Sequence, residues 1–331
     1  NHTMNRKVCV APMMDCTDRH ERFFLRLISK NVLLYTEMIV SEAISRGDKK
    51  KLLAFNLNEK PLALQIGGSS AKLLAEAAKI GEDFGYDEIN LNLGCPSRKV
   101  QKNKFGACLM KEPNLVADCL TEMMASCSIP VTVKTRIGYD DVEDYESLKN
   151  FIQILKKTGV KTFVIHARKA MLGKFTPKQN LNIPPLKYDI VYRLKKEFPD
   201  EEIIINGGIN SIYQIKNHLE KVDGVMIGRT AYHSPYFLAE IEKEIFNNHN
   251  IPSRTEVIER MFPYIKEEAS KGTRLNQIMR HTIGLFHGQK GSADWKRYLS
   301  KNMCIREADL QKVNHIMDHI KNNGSTTSLG R

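Results

Sequence analysis

The segment Asp87-Glu-Ile-Asn-Leu-Asn-Leu-Gly-Cys-Pro-Ser97 is an apolar stretch that runs into a tight turn carrying a cysteine. Its leucines and isoleucine alternate with Asn90 and Asn92, and this period of two predicts a strand with one polar face. Because glycine and proline favour turns, the strand should end with Cys95 on a rigid loop beside the Asn92 amide. This arrangement favours a reactive thiol, and the alternative is a cysteine that only packs as a small hydrophobe.

Other apolar stretches in the first three quarters of the chain end in the same manner, with a polar or glycine residue directly after them. Between them lie segments with apolar residues at helical spacing, and only the gap from 37 to 62 has no clear pattern. The predicted strands are 8–14, 33–37, 62–65, 88–92, 131–134, 162–166, 203–208 and 224–229. The predicted helices between and after them are 19–29, 71–84, 114–125, 145–157, 190–198, 212–220 and 235–246.

Repeated β-α units of this kind predict an α/β fold, a TIM (β/α)8 barrel, in which the carboxyl ends of the strands converge on one active site. Gln65, Asn92, Lys134, His166, Asn206 and Arg229 would then be neighbours. The competing architecture is an open doubly wound sheet. That fold should show a Gly-x-Gly-x-x-Gly turn after its first strand, and residues 8–18 contain none.

The β-α pattern stops near residue 250, and segments 255–271, 277–287, 295–301 and 308–321 show helical spacing. We therefore predict a barrel domain at 5–248 and a small helical domain at 249–321, joined at Ile251-Pro-Ser-Arg254. Residues 1–4 resemble a tag remnant with the start of the chain, and 322–331 a disordered polar tail. The helical domain could hold a large substrate, or it could only stabilise the barrel or form a dimer.

Composition points to a polyanionic partner. The 331 residues carry a formal charge of +12, which is large for an enzyme of small neutral metabolites and favours nucleic acid, although a solvated lysine surface is the alternative. No apolar run could span a bilayer and no signal peptide opens the chain, so we expect a cytoplasmic protein. The seven cysteines show no metal-ligand spacing, which predicts no structural metal. Basic residues follow both Cys95 and His166 in sequence: Arg98, Lys99, Lys102, Lys104, Arg168, Lys169, Lys174 and Lys178.

The strand ends also suggest a flavin. Glycines and an arginine at the last two strands of a TIM barrel commonly bind phosphate, and Asn206-Gly-Gly208 and Gly228-Arg229 fit that pattern. FMN carries one terminal phosphate and needs no Rossmann domain. Lys134 would stabilise the reduced ring, and Gln65 could bind its pyrimidine portion.

Extended motifs make the chain resemble the tRNA-dihydrouridine synthase family, and within it the bacterial branch that acts on uridines 20 and 20a. The resemblance runs over nearly the whole chain. Its motifs are Ala11-Pro-Met-Met-Asp15, Leu34-Tyr-Thr-Glu-Met38, Ala63-Leu-Gln-Ile-Gly-Gly68, Tyr86–Ser97, Phe105-Gly-Ala-Cys-Leu-Met110, Val131-Thr-Val-Lys-Thr-Arg-Ile-Gly138, Ile165-His-Ala-Arg-Lys-Ala170, Ile183-Pro-Pro-Leu186, Ile205-Asn-Gly-Gly-Ile209 and Asp223-Gly-Val-Met-Ile-Gly-Arg229.

The resemblance implies a mechanism and a set of site residues. NADPH would reduce FMN, hydride would pass from flavin N5 to C6 of a uridine flipped out of the tRNA D-loop, and Cys95 would protonate C5. Thiols ordinarily have a pKa of about 8.5 and are protonated at neutral pH. The implied FMN contacts are Pro12, Met13, Met14, Gln65, Lys134, His166, Asn206, Gly207, Gly208, Gly228 and Arg229. The implied tRNA positions are Asn92, Lys178, Lys296, Leu181 and Ala293.

Two of these tRNA positions depart from the family pattern, since Leu181 and Ala293 stand where arginines are expected. Cys108 lies in a family motif, but we predict a packing role for it. We expect a monomer. Two alternatives remain open from sequence: an FMN oxidoreductase of a small metabolite, and a tRNA-binding folding factor whose chemistry is incidental.

Overall fold

The computed structural model describes residues 4–302 and Asp318. Residues 1–3, most of the predicted helix 308–321 and the predicted tail 322–331 lie outside the described residues. The strands are β1 Val8–Val10, β2 Leu33–Tyr35, β3 Ile39–Val40, β4 Leu62–Gly67, β5 Glu88–Leu93, β6 Val131–Arg136, β7 Thr162–His166, β8 Glu202–Asn206 and β9 Gly224–Ile227.

The strands form a closed parallel barrel. Their order is β2-β1-β9-β8-β7-β6-β5-β4-β3, and a further pairing of β2 with β4 closes the ring. Eight strands make up the barrel, while the two-residue β3 pairs only with the end of β4. The predicted TIM barrel is therefore confirmed, and each of its eight predicted strands is present.

Helices connect the strands, and most agree with the predicted segments to within two residues. The unassigned gap from 37 to 62 contains β3, two short α-helices and the 3-10 helix Leu57–Glu59. The helices are α1 Arg19–Ile28, α2 Ser41–Arg46, α3 Lys49–Leu53, α4 Ala71–Phe84, α5 Arg98–Lys102, α6 Pro113–Ser126, α7 Tyr145–Lys156, α8 Pro177–Asn182, α9 Tyr188–Glu197, α10 Ile212–Leu219, α11 Arg229–His233, α12 Phe237–Glu244, α13 Arg254–Ser270, α14 Leu275–Met279 and α15 Ser292–Asn302.

The barrel interior has two chemically different halves. Because side chains alternate along a strand, every second residue points inward. An apolar cluster fills the half built by β1, β2, β7, β8 and β9, and it includes Cys9, Leu33, Val164, Ile204 and Met226. The half built by β4, β5 and β6 buries polar side chains instead: Gln65, Glu88, Asn90 and Thr132. Buried polar groups need hydrogen-bond partners, so this half must contain a connected network.

Contacts divide the chain into two compact units, Asn1–Met14 with Val32–Gly228, and Asp15–Asn31 with Arg229–Arg331. The first unit contains the barrel. In the second unit α1 packs on α13, where the rings of Phe23 and Tyr264 stack with centroids 4.0 Å apart. The domain boundary predicted at 248/249 stays a prediction. No described helix is long and apolar enough to cross a membrane.

Candidate active site

Hydrogen bonds fix the backbone of the Cys95 loop through both its N–H groups and the Cys95 carbonyl oxygen. The Asn92 side-chain oxygen accepts hydrogen bonds from the backbone N–H groups of Gly94, at 3.0 Å, and Cys95, at 2.9 Å. The carbonyl oxygen of Cys95 accepts from the side chain of Gln101 at 2.6 Å and from the N–H of Ala107 at 2.9 Å. The cysteine itself is partly exposed. The loop thus presents a thiol from a fixed backbone.

Gln101 was not predicted from sequence, although it makes three contacts in this loop. Its Nε2 donates to the carbonyl oxygens of Cys95 and Ser97, and its Oε1 accepts the N–H of Cys108 at 2.8 Å. Gly106 lies beside it with φ +72°, and a Cβ there would come within 2.7 Å of the Cys95 carbonyl oxygen. This close approach requires glycine.

The predicted residues on neighbouring strands lie side by side. In the parallel register Asn92 pairs with Lys134, and His166 pairs with Asn206. Lys134 keeps some exposed surface although many protein atoms surround its ammonium group. Burial, together with the Arg136 cation, lowers the pKa of Lys134 to about 8. A lysine cation that burial destabilises in this way is stabilised by an anionic partner.

Arg136 is a site residue that sequence reasoning missed. It is buried beside His166 in the register, and its guanidinium donates to the carbonyl oxygens of Gly94 at 3.1 Å and Asn180 at 3.0 Å. Burial lowers its pKa to about 10. Arg136 follows Lys134 by two residues and so shares the inward face of β6, which is the signal that could have indicated it.

His166 is a neutral imidazole in this setting. Burial, together with the Arg136 and Lys134 cations, lowers its pKa well below the usual range. Its Nδ1 accepts the backbone N–H of Arg168 at 3.3 Å, so the proton resides on Nε2. A Cβ at Gly207 would be 3.6 Å from that Nε2. His166 can therefore donate a hydrogen bond toward Gly207 but is a poor base.

The Asn206–Gly208 segment is shaped by crowding. Gly207 and Gly208 have φ values of +124° and +67°, and a Cβ on either would come within 2.8 Å of the Leu186 side chain. Asn206 donates to the carbonyl oxygen of Met226 at 3.0 Å. These glycines leave backbone groups accessible where a side chain would not fit.

The end of β1 supplies the last predicted contacts of the barrel unit. Pro12 and Met13 are half-buried, whereas Met14 is 59% exposed. A Cβ at Gly228 would make only ordinary contacts, at 3.6 Å to Met13 Sδ. Arg229 begins α11 in the second unit.

The predicted tRNA positions are distributed over both units. Lys178 is exposed on α8 and Leu181 is half-buried on the same helix, while Ala293 and Lys296 are exposed on α15. Two of the basic residues that follow His166 in sequence have partners within the protein. Arg168 is buried and donates to the carbonyl oxygen of Pro184, and Lys169 pairs with Glu143 at 3.0 Å. The Arg168 guanidinium is thus buried against that carbonyl rather than exposed.

Cationic and hydrogen-bond donor groups thus gather at the ends of β6, β7 and β8. Within residues 4–302, no carboxylate makes an ion pair with Lys134 or Arg136. Lys134, Arg136, the Nε2–H of His166 and the Gly207–Gly208 backbone form a donor set suited to an anion. Such a set fits a phosphorylated or anionic ligand better than a neutral one.

The family model described as "Dihydrouridine synthase (Dus)" matches residues 9–322 of this chain. The chain belongs to the dihydrouridine synthase family. Membership makes it an enzyme and a flavin-dependent oxidoreductase, as the motifs predicted.

Curated relatives agree closely. The "tRNA-dihydrouridine(20/20a) synthase" of Synechocystis is 53% identical over 90% of each chain, and that of Escherichia coli K12 is 51% identical over 93% of this chain and 90% of its own. The Vibrio cholerae relative of the same name is 49% identical, covering 96% and 98%. A solved structure of a 2-naphthoyl-CoA reductase matches 74% of this chain and 51% of its own chain with a TM-score of 0.54. Because the two sequences are 14% identical, the likeness of this dihydrouridine synthase family member to that reductase shows the fold alone.

Proposed function

We propose that this chain reduces the C5–C6 bond of uridines 20 and 20a in the tRNA D-loop, with FMN as bound flavin and NADPH as electron donor. Relatives about 50% identical over some nine-tenths of the chain bear the name of this reaction. The observation that carries the proposal is the Cys95 loop, which presents a thiol and the Asn92 amide beside Lys134.

The donor set at the strand ends supports FMN. The Nε2–H of His166 and the glycine backbone at Gly207 and Gly208 would hold the phosphate. Lys134 would lie near the flavin ring, where its charge favours the electron-rich reduced form. Gln65 is almost entirely buried, so its contact with the ring would involve only the edge of its amide. The other proposed cofactor residues are Pro12, Met13, Met14, Asn206, Gly228 and Arg229.

When bound and reduced, FMN supplies a hydride to C6 of the uracil ring. Negative charge would then develop on the C4 carbonyl of the base, and Asn92 would donate a hydrogen bond to that oxygen. The Cys95 thiol delivers its proton to C5, which completes the saturated bond and leaves a thiolate. The Lys134 cation, next to Asn92 in the strand register, would stabilise that thiolate.

Charge supports tRNA as the substrate. The net charge of +12 attracts a polyanion, and exposed Lys178 and Lys296 are proposed phosphate contacts. Leu181 and Ala293 would supply no cation at their positions, so tRNA affinity would depend on the remaining lysines and arginines. A monomeric, cytoplasmic enzyme without structural metal remains part of this proposal.

The test is direct. Purified protein is incubated with NADPH and an unmodified tRNA transcript, and dihydrouridine is mapped by mass spectrometry. Product at positions 20 and 20a supports the proposal in full. Product elsewhere would contradict the assigned positions and implicate Leu181 and Ala293, and the paired substitutions Leu181→Arg and Ala293→Arg should then shift product toward 20 and 20a.

Failure of the reaction would also be informative. If NADPH reduces the bound flavin but the transcript stays unmodified, the same assay with tRNA isolated from a strain lacking dihydrouridine separates two cases. Product on that tRNA shows that other modifications must come first, whereas none overturns the tRNA assignment and favours a small-metabolite reductase.

A further inference from the structure

A continuous series of hydrogen bonds runs through the polar half of the barrel from the Cys95 loop to a buried carboxyl group. We call this series the amide relay, and its members are Cys95, Asn92, Gln65, Asn90, Thr132 and Glu88. In order, the donors, acceptors and distances are Cys95 N to Asn92 Oδ1 at 2.9 Å, Asn92 Nδ2 to Gln65 Oε1 at 3.0 Å, Gln65 Nε2 to Asn90 Oδ1 at 2.9 Å, Asn90 Nδ2 to Thr132 Oγ1 at 2.9 Å, and Thr132 Oγ1 to Glu88 Oε2 at 2.8 Å.

Every link of the amide relay donates in the same direction, and the two ends fix that direction. A backbone N–H can only donate, so Asn92 must turn its oxygen toward Cys95. A carboxylate can only accept, so Thr132 must donate its hydroxyl proton to Glu88 and accept from Asn90. Side-chain amides are otherwise ambiguous by a half-turn. Here only one orientation of each amide satisfies both ends.

Glu88 is held as the acceptor end of the relay. It is fully buried, and its carboxyl oxygens also accept from Arg6 Nε at 2.6 Å and from the Tyr35 hydroxyl at 2.9 Å. The Arg6 guanidinium pairs with this buried carboxyl group, as a buried charge requires a partner. Four of the relay side chains are at most 1% exposed, so water has little access to replace a lost link: Gln65, Asn90, Thr132 and Glu88.

The direction of the relay determines what Asn92 can offer a ligand. Its oxygen already accepts from both Gly94 and Cys95, which uses both lone pairs. Its nitrogen gives one proton to Gln65 and keeps the second. Asn92 can therefore meet a ligand only as a hydrogen-bond donor.

We propose that the amide relay, anchored at Glu88, makes Asn92 a donor that selects a carbonyl group on the target base. The proposal rests on the proposed function, in which Asn92 contacts uracil. At ring position 4 uracil carries an oxygen acceptor, whereas cytosine carries an amino donor. Two amide donors facing each other cannot bond, so cytosine would be rejected there. Glu88 and Thr132 act through Asn92 and are positioning residues.

Threonine substitutions test the relay with matched controls. Thr132→Val keeps the shape but removes the link between Asn90 and Glu88, whereas Thr132→Ser keeps the hydroxyl. Thr162→Val is the control, because buried Thr162 likewise donates to a glutamate, Glu202, at 2.8 Å but is bonded to no relay member. In Thr132→Val the Asn90 and Gln65 amides can turn over, which sets Gln65 Nε2 against Asn92 Nδ2.

We expect Thr132→Val to lower kcat on unmodified tRNA about tenfold, the low end for loss of a supporting contact. KM should stay within about twofold, since phosphate contacts dominate tRNA affinity. Thr132→Ser and Thr162→Val should keep kcat within about twofold of the wild-type value. A kcat for Thr132→Val equal to that of Thr162→Val overturns the relay.

A second measurement is independent of the reaction. With ¹⁵N-labelled asparagine and glutamine, the side-chain NH₂ signals of Gln65 and Asn90 should be single in the wild type and in Thr162→Val, and doubled or broadened in Thr132→Val. Unchanged signals in Thr132→Val overturn the relay. If the wild type makes no dihydrouridine, the proposed function fails while these spectra still decide the relay. If Thr132→Val does not fold, the wild-type spectrum decides. Two sets of NH₂ signals for Gln65 and Asn90 would overturn the relay, whereas one set supports it.

Discussion

Gln101 Nε2 lies 2.6 Å from the carbonyl oxygen of Cys95, and the same side chain accepts the backbone N–H of Cys108 through its oxygen. One amide therefore ties the loop that carries the proposed acid to the segment that follows α5. Because the donor and the acceptor of this amide are both used, its two ends cannot be exchanged without loss. Gln101 is a candidate positioning residue for the Cys95 thiol.

We predict that Gln101→Glu lowers kcat for dihydrouridine formation about thirtyfold, in the range seen when a supporting contact is lost. Glutamate keeps the size and the acceptor for Cys108, but it places an oxygen against the Cys95 carbonyl. Steady-state kinetics on unmodified tRNA measures the effect, and Gln153→Glu, on the exposed face of α7, is the control. Wild-type kcat in Gln101→Glu would show that the loop holds itself without this amide.

The two cysteines of this region should behave differently. Cys95→Ala should lower the rate of uridine reduction by at least about a hundredfold, the usual scale for loss of a general acid. NADPH should still reduce the flavin, since that half-reaction needs no proton from Cys95. Single-turnover mixing of prereduced enzyme with tRNA isolates the step.

Cys108→Ala is the matched control. The Cys108 thiol donates to the carbonyl oxygen of Phe105 at 3.2 Å, and burial raises its pKa, which supports the packing role predicted from sequence. Its loss should change the rate less than about threefold. A full rate in Cys95→Ala, or an equal loss in both variants, would remove Cys95 from its role as the acid.

The alternation of apolar and polar residues was sufficient to predict the barrel, because each strand end is marked by a change of polarity. It could also bring Asn92 near Lys134, since both were predicted at the carboxyl ends of consecutive strands, and the register pairs them. What the pattern could not show is how a side chain is used. Arg168, one of the basic residues that follow His166, is buried on the carbonyl oxygen of Pro184, and Gln101, which was not predicted from sequence, bonds to the Cys95 carbonyl.

The short elements between residues 37 and 62 could not be predicted for a related reason. The strand Ile39–Val40 and the helices Ser41–Arg46 and Lys49–Leu53 span too few residues for a period to emerge. Their placement depends on pairing with β4 and on packing, which are long-range contacts. Likewise, the direction of the amide relay is a property of six residues from three strands and one loop, and no local pattern encodes it.

Lys134 should make flavin binding depend on pH. In the free protein its pKa is lowered to about 8 by burial and the Arg136 cation, and an anionic ligand would raise it again. Binding then takes up a proton above pH 8. We expect the FMN Kd to rise toward tenfold per pH unit above about pH 8, where Lys134 loses its proton in the free protein. Quenching of FMN fluorescence by the apoprotein measures it.

Lys134→Met is the control for this pH dependence. The variant should bind FMN more weakly at pH 7 but lose the rise above pH 8. If wild type and variant show the same slope between pH 8 and 9, the titrating group is a different one, and Lys134 would not be the charge that meets the flavin.

The second unit contains a buried charge cluster at the start of α1. His281 Nε2 lies 2.9 Å from Asp18 Oδ1, and its Nδ1 lies 3.1 Å from Glu21 Oε2. Burial alone would lower the pKa of His281, but the two carboxyl groups outweigh it and raise the pKa to about 9. Burial raises the pKa of Glu21 to about 7. His281 and Glu21 therefore bind protons more tightly in the folded state. His20 of the same unit does the opposite, because burial lowers its pKa to about 4.

A group whose pKa is higher in the folded than in the unfolded state stabilises the fold at pH values below its unfolded pKa. That stabilisation is lost as the pH rises from the unfolded to the folded pKa. For His281 the loss falls between about pH 6.5, the unfolded value, and pH 9, and it amounts to roughly 3 kcal/mol. Glu21 adds a loss between about pH 4.5 and 7. Below pH 6.5 the lowered pKa of His20 opposes the Glu21 loss, so the unit should become less stable mainly between about pH 6.5 and 9.

Urea unfolding followed by tryptophan fluorescence measures this loss, because the single tryptophan of the chain, Trp295, lies in the second unit and donates to the carbonyl oxygen of Thr282. The unfolding midpoint should fall steadily between pH 6.5 and 9 in the wild type. His281→Gln should start from a lower midpoint and show a flatter slope, whereas His249→Gln, at an exposed position, should match the wild type. A wild-type slope in His281→Gln would mean that the cluster does not control the pH dependence of this unit.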